Sequence, residues 1–523
     1  MGIIHEKAHY VVAVALVAFL IRAFVLSQWN TIKKNGERLK KPPNTLPLVG
    51  NGLQFLQSRW KLFSWFDACQ RKFGYETVAI SVPTLPPGVL IHDPRNLDYV
   101  FKNEGIFTKG NFVKGRTWDL FGNGIINAEG DFWKTQRKAG LSFLNTANLR
   151  VLTDVALPQY LSESISQLRS STNGTVVDLQ HVFHEITTKL MGKMAYNASM
   201  AMHADDEFTV SFDYASGGTA ERFQNPLWFV TEIFLGAELR QSIAVVKDFG
   251  KRIVTKAVQD RREKGFGEEE GKLDQISGSL IQSLLDAIQD EQMVADAALT
   301  YLSAGRDTTG QALTWTFYLL MRHPRVVAKI REEATQLLKE KNVTLTPDQF
   351  DSSLFNPVTM PYSMAVFYEV LRLYPPIPFE IRQCNEDVTL PDGTFLPKSS
   401  ILVWCLWAMQ RSKLTWGDDA DEFKPERFLD GNKLISRSPS EFPVFYGGPR
   451  TCLGRKMAEA IAAQVIPTMA CLFDFVPTSD EERTSKTSLT LPMEGGLPVT
   501  VETRIGEERE KLARIPEIRF SEH

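Results

Sequence analysis

One short run carries most of the chemistry open to this chain: Phe445-Tyr446-Gly447-Gly448-Pro449-Arg450-Thr451-Cys452-Leu453-Gly454, a glycine-rich turn with one cysteine ahead of a helical pattern. Thiolate is the metal-binding form of cysteine, and backbone N–H groups, a helix N-terminus and a nearby cation favour it. Gly448 and Gly454 let the backbone fold tightly around the sulfur, Arg450 can neutralise an anionic ligand, and Phe445 can cover the sulfur's rear face. One thiolate cannot build a four-ligand zinc site. It can hold a haem iron, whose porphyrin supplies four ligands and leaves the fifth to the protein. A buried structural cysteine is the competing reading. Against it, the pattern F-x-x-G-x-R-x-C-x-G should arise by accident only on the order of 10⁻⁴ times in a chain of this length.

A second run, Ala304-Gly305-Arg306-Asp307-Thr308-Thr309, lies inside a helical pattern from Asp290 to Arg322 that stops at His323-Pro324. Glycine costs about 1 kcal/mol against alanine in a helix interior, and threonine is also a poor choice, so something else must compensate. Gly305 would let a flat ligand approach the backbone, and the Thr308 hydroxyl can bond an earlier carbonyl and loosen the helix. Asp307 can feed protons. The bland alternative is a kinked core helix. Trp133 and Arg137 stand at i and i+4 on one helix face; both donate hydrogen bonds, neither accepts, and together they could clamp a carboxylate pair. Glu369 and Arg372 at i and i+3 can form a salt bridge, a spacing that chance alone supplies about twice in such a chain.

Taken in order, W-x-x-x-R, A-G-x-D-T-T, E-x-x-R, Pro425-Glu426-Arg427-Phe428 and the cysteine loop resemble the cytochrome P-450 superfamily of haem-thiolate monooxygenases, over nearly the whole chain. The resemblance implies a mainly α fold with a smaller β region, preceded by one N-terminal transmembrane helix. It implies Cys452 as axial ligand of the haem iron, Asp307 and Thr308 as the catalytic proton-delivering pair, and Trp133, Arg137, Arg382 and Arg450 as propionate ligands. Phe445 and Gly305 would border the haem, while Glu369, Arg372 and Arg427 would form a buried structural cluster. Haem b is expected to be non-covalent, because Ala304 stands where one fatty-acid-hydroxylating branch has an ester-forming glutamate. O2 is the implied co-substrate. Electrons would come from NADPH through NADPH–cytochrome P-450 reductase, with cytochrome b5 as a second donor.

The stretch from Trp118 to Ala128, with A-G-R-D-T-T, looks similar to fungal alkane and plant or fungal fatty-acid terminal hydroxylases, so a long aliphatic substrate is implied. Fungal pathway monooxygenases acting on polyketide or sphingoid-like alkyl chains share the scaffold. A haem-thiolate isomerase or dehydratase would not need the Asp307–Thr308 pair, and a haem sensor or electron carrier would not need an oxygen-activating helix.

The rest of the chain must position these groups. Its 523 residues, 43% hydrophobic and 23% charged, are long enough for two or three domains, where the resemblance implies one catalytic domain. A net charge of −3 gives no reason to expect nucleic acid. Five scattered cysteines with no C-x-x-C spacing suggest neither a disulfide framework nor zinc. Tyr10 to Leu26 is apolar apart from Arg22, and its 17 residues reach the short end of a membrane span. Lys33, Lys34, Arg38, Lys40 and Lys41 follow it, which leaves the body cytosolic on a single-pass anchor, at the endoplasmic reticulum by resemblance. A cleaved signal peptide is the rival. The division expected is an anchor and basic flank over 1–41, a proline-rich hinge over 42–52 and the catalytic domain over 53–523.

Periodicity and turn residues predict a helix over 53–73, a hairpin from Glu76–Val82 and Gly88–His92, and a long loop from Thr108 to Gly130. Phe208 to Phe234, rich in aromatics, suits the roof of an apolar pocket. Arg261 to Gln275 reads as a solvated connector, and Leu453 to Phe473 as a helix. Leu489 to Val501 suggests hairpin strands, with Met493 to Leu497 as a tip dipping into the pocket.

Overall fold

A computed structural model describes residues 32–504 apart from 48, 83–84, 172–173, 197–205, 265–277 and 344–350, together with Val14, Val17 and Ala18. The expected span from Tyr10 to Leu26 therefore lies almost wholly outside the described residues. Among the described residues, no helix is long and apolar enough to cross a membrane.

The helices that build the site are α1 (Arg59–Phe73), α2 (Pro94–Lys102), α3 (Gly110–Phe121), α4 (Gly130–Phe143), α5 (Leu179–Tyr196), α6 (Asp206–Gln224), α7 (Trp228–Leu235), α8 (Ala237–Lys264), α9 (Glu291–Arg322), α10 (Pro361–Leu373) and α11 (Arg455–Leu472). At the centre runs α9. Asp290 caps it by accepting from the N–H groups of Gln292 and Met293, and Pro324 follows its last residues. Of its 32 residues 24 are buried, the pattern of a core helix packed on most sides. Its most intimate neighbour is α5, and α8, α10 and α11 also pack on it.

The strands form a smaller region: β1 (Val78–Ile80), β2 (Gly88–Leu90), β3 (Phe107–Thr108), β4 (Val177–Asp178), β5 (Phe379–Cys384), β6 (Ile401–Cys405), β7 (Phe473–Pro477) and β8 (Pro498–Thr503). The main sheet runs β1-β2-β6-β5-β3, with β2 and β6 parallel and the other neighbours antiparallel. Leu402 pairs with Arg382 and Trp404 with Glu380, so Glu380 and Arg382 share one face of β5. A second sheet has the order β7-β8-β4.

Two expectations, a loop and a hairpin tip, are corrected. The stretch from 108 to 130 is not a long loop: Phe112, Val113, Arg116, Thr117, Leu120 and Phe121 recur at helical spacing on the buried face of α3, whose stripe is diluted by a buried arginine and glycines. Within the basic flank, Lys33–Lys34 pairs with Glu37–Arg38 on one side and with Thr394–Phe395 on the other. The hairpin tip is not Met493 to Leu497. Glu494 N–H donates to Thr484 O at 2.8 Å and Lys486 N–H to Pro492 O at 3.2 Å, so the tip is 487–491.

An ion cluster of Glu369, Arg372 and Arg427 lies within the scaffold, its first two members fully buried. Arg372 donates to Glu369 through Nε and Nη2, both at 2.7 Å, and Arg427 Nε reaches Glu369 at 3.2 Å. Arg372 also donates to the carbonyls of Gln410, Ala420 and Glu422, which ties α10 to the long segment leading into the cysteine loop. Removing one member strands a buried charge and three carbonyls. Arg372→Met should cost about 3–5 kcal/mol of unfolding free energy, read by denaturant titration, and a loss below about 1 kcal/mol would contradict this role.

Candidate active site

The cysteine loop is held by close backbone approach. Gly448 has φ of +62°, and a Cβ there would run into the carbonyl of Phe101 on α2, while one on Gly447 would run into the Phe101 ring. Cys452 N–H donates to Phe445 O at 2.8 Å, closing the turn. The Cys452 side chain is exposed, although protein surrounds the loop closely enough that burial pushes its thiol up. The N–H of Gly454 and the charge of Arg137 pull the other way, followed by the N–H and charge of Arg455. Phe445 lies under the Arg455 guanidinium, 5.0 Å from it.

Across from this loop, α9 opens. Tyr301 to Ser303, Arg306, Asp307 and Thr309 are buried, yet Ala304 is exposed and Gly305 and Thr308 are half-buried. Tyr301, one turn before Ala304 on α9, and Leu453, next to Cys452, both flank α4 at Gly140: a Cβ there would lie 3.0 Å from the Tyr301 ring and 3.2 Å from Leu453. Thr308 donates to Ala304 O at 2.7 Å, bonding the earlier carbonyl as its position suggests, and α9 runs on unbroken. Gly305, half-buried between Ala304 and Thr308, also packs against α5. The place its Cβ would take is occupied by Met191 of α5, so the missing side chain serves helix packing, and Ala304 and Thr308 supply the open face.

Asp307 turns to the other side of the helix, into a polar cavity of about 160 Å³ between α9, α5, α6 and the 487–491 tip. Arg306 Nη1 donates to Asp307 at 2.7 Å and to Asp213 at 3.2 Å, and its Nε to Thr188 at 3.2 Å. Burial pushes the Asp307 carboxyl up to about 6, against the pull of Arg306 and with the help of Asp213. His184 lines the same cavity. Burial and then Arg306 hold its imidazole well below its usual range, and its Nε2 has no partner. A carboxyl poised near neutrality beside a polar cavity can pass protons, the condition for general acid work.

The third group lies along one edge. The Trp133 ring is faced by Arg450 at 4.6 Å and Arg137 at 5.6 Å. Arg450 donates to Glu104 at 2.9 Å and also meets Glu129 and the Ala128 carbonyl. Arg382 donates to Glu380 at 2.9 Å and sits 4.8 Å from the Tyr446 ring. Lys109 reaches the same Glu380 at 3.3 Å. Arg137 has no carboxylate partner among the described residues. Thus Trp133, Arg137, Arg382 and Arg450, scattered along the sequence, form one cationic edge in which three glutamates stand against four cations. Sequence reasoning missed Lys109, Asp213, His184 and Met191, for which no local pattern exists. Arg306 did give a signal, as a charge in an otherwise apolar helix.

The cytochrome P-450 family description matches residues 41–498, and the chain belongs to that family. It is 31% identical to cytochrome P-450 94C1 of Arabidopsis thaliana over 476 residues, covering 86% of this chain and 92% of that one. With cytochrome P-450 94A1 of Vicia sativa it shares 28% identity over 88% and 90% of the two chains, and with cytochrome P-450 704B1 of Arabidopsis thaliana 28% over 93% and 99%. The protein is a cytochrome P-450 monooxygenase. Membership carries with it a haem-thiolate iron, O2 and electrons from a reductase.

Two outcomes follow from this geometry. Gly305→Ala should destabilise the fold by about 1–3 kcal/mol through collision with Met191, and adding Met191→Ala should recover part of that loss; additive losses in a double-mutant cycle would argue against the contact. Asp307 is raised above its unfolded value, so its contribution to stability is full below about pH 4 and is lost as pH rises through about 6. Unfolding free energies of wild type and Asp307→Asn, compared from pH 4.5 to 7, should diverge with that sign, the variant gaining relative to wild type as pH rises.

Proposed function

We propose that Cys452 is the axial ligand of a non-covalent haem b, and that Trp133, Arg137, Arg382 and Arg450, with Lys109 beside them, hold its propionates. The observation that carries this reading is that an open cysteine and the open Ala304–Thr308 face of a largely buried helix stand next to residues, Leu453 and Tyr301, that meet at Gly140. The donor chemistry fits: a thiol among N–H groups and cations, an indole N–H without a protein acceptor among the described residues, and guanidinium groups in excess of carboxylates. When bound, haem on a thiolate supplies O2 activation and insertion of one oxygen atom into a C–H bond. The residues of this chain do the rest. Asp307 takes protons from the polar cavity and Thr308 hands them to the open face, while the apolar roof of α3 and α6 excludes bulk water.

The substrate is a long aliphatic chain, a fatty acid or alkane. The apolar residues Phe112, Val113, Phe223, Ile381 and Ile401, which cluster where α3 and α6 meet the sheet, support this, as does the Trp118–Ala128 stretch. α7 buries none of its residues and leaves Phe229, Ile233, Phe234 and Leu235 exposed, a surface suited to a lipid boundary. We place the enzyme at the endoplasmic reticulum membrane, anchored through 1–41, with NADPH–cytochrome P-450 reductase as donor.

Cys452→Ser should abolish the thiolate-type shift of the reduced carbon monoxide spectrum and all hydroxylation of long-chain substrates by the reductase-coupled enzyme. Retained hydroxylation would refute the ligand assignment. Product analysis with labelled fatty acids and alkanes tests the substrate class, which fails if neither is oxidised.

A further inference from the structure

The roof holds two buried arginines with opposite surroundings. Arg222, near the end of α6, is saturated: Nη1 and Nη2 meet Asp119 at 2.7 and 2.6 Å, and Nε and Nη2 meet Glu232 at 2.9 and 2.5 Å. Arg116, on α3, has no carboxylate. Its Nε donates to Arg222 O at 3.0 Å and its Nη1 to Phe112 O at 2.8 Å, while Arg222 Nη1 returns a bond to Arg116 O at 2.8 Å. The Arg116 residue is only 8% exposed. Phe112, Phe223 and Trp228 surround its guanidinium, with ring centroids at 3.9, 5.8 and 5.8 Å. Burial, and then the like charge of Arg222, push it down to about 10. The two acids nearby both bind Arg222, and neither compensates Arg116.

A buried charge without a counterion is costly, and proteins keep one where a ligand supplies the missing charge. Nη2 of Arg116 has no protein acceptor among the described residues, and it is not sealed. Arg59 makes the contrast. That guanidinium is also buried without a carboxylate, but it donates to the carbonyls of Ser488 and Thr490, and its Nε is closed off with Phe63 and Phe379 rings beside it. Among the described residues, only Arg116 combines a missing counterion, an open N–H edge and a place in the roof. Its helix contacts α9 at one side and β5, which carries Arg382, at another. Phe112 and Phe223, which frame the guanidinium, also belong to the apolar cluster between roof and sheet.

We propose that Arg116 is a substrate-binding residue that receives the carboxylate of a long-chain acid, while the apolar cluster beside it takes the first part of the chain. One open N–H edge beside a saturated arginine suits a single negative charge carried on an apolar body. The assignment makes the acid, and not the alkane, the preferred member of the aliphatic class, and it rests on the aliphatic reading given above.

The test uses the full-length enzyme in lipid nanodiscs and compares hexadecanoic acid with its methyl ester, by displacement of a fluorescent long-chain acid and by competitive turnover. Wild type should prefer the acid, and Arg116→Gln should reduce that preference about 10-fold or more, the worth of one charge-assisted hydrogen bond. Arg116→Lys should recover part of it, which a purely structural role would not do. Melting temperature and the reduced carbon monoxide spectrum verify that each variant is folded and loaded. If wild type prefers the acid and Arg116→Gln keeps the full preference, the assignment is overturned while the aliphatic reading stands. If wild type oxidises the ester or hexadecane and shows no preference for the acid, the assignment falls. If wild type takes none of these chains, both fall.

Discussion

Arg372 is fully buried, and besides its partner Glu369 it bonds only carbonyls from a distant part of the chain. Its guanidinium holds Glu369 one helical turn away and three carbonyls between residues 410 and 422. That segment has little regular structure, so its carbonyls cannot find partners in a helix or sheet, and an arginine with five donors supplies them. Gln410 then reaches Glu441 O at 2.9 Å, just before the cysteine loop begins. The position of Cys452 therefore depends on a charge cluster on the far side of α10. Such a cluster is a poor source of net stability, but it gives an irregular segment one arrangement.

α9 shows how one helix serves two environments. Towards α5 it is packed so closely that Gly305 and Gly310 leave room only for Met191 and His184. Towards the cysteine it presents a small residue and a hydroxyl to open space. Asp307 belongs to neither face alone: its carboxyl lies in the polar cavity while its neighbour Thr308 borders the open side. The polar cavity and the open side are thus separated by the thickness of the helix, which lets water approach the acid without reaching the other face.

The roof is less compact. α3, α6 and α7 meet through arginines and aromatic rings more than through aliphatic packing, and α7 buries no side chain. Elements held by few buried contacts open most readily, and an entrance for apolar substrates needs that property.

Much of the site was legible in the residues. A thiol in a glycine turn, an acid and a hydroxyl inside an apolar helix, and donors at i and i+4 are local patterns, because each owes its meaning to neighbours within a turn or two of chain. The central helix could be bounded to within a residue from an aspartate cap and a following proline. α3 could have been found from its buried stripe at helical spacing, had Arg116 and Thr117 been counted as inward-facing. What the chain alone did not settle is everything that depends on encounters between distant segments. Nothing in the sequence around Gly305 shows the groove it leaves for Met191, which only helix packing reveals. The glutamates that meet Arg382 and Arg450, the approach of Asp213 to Arg306, and the lack of an acid bonded to Arg116 among the described residues are set by side chains converging from separate elements. Charge compensation acts through space, so composition and spacing name the charged groups while the tertiary structure alone decides which of them stand without a partner.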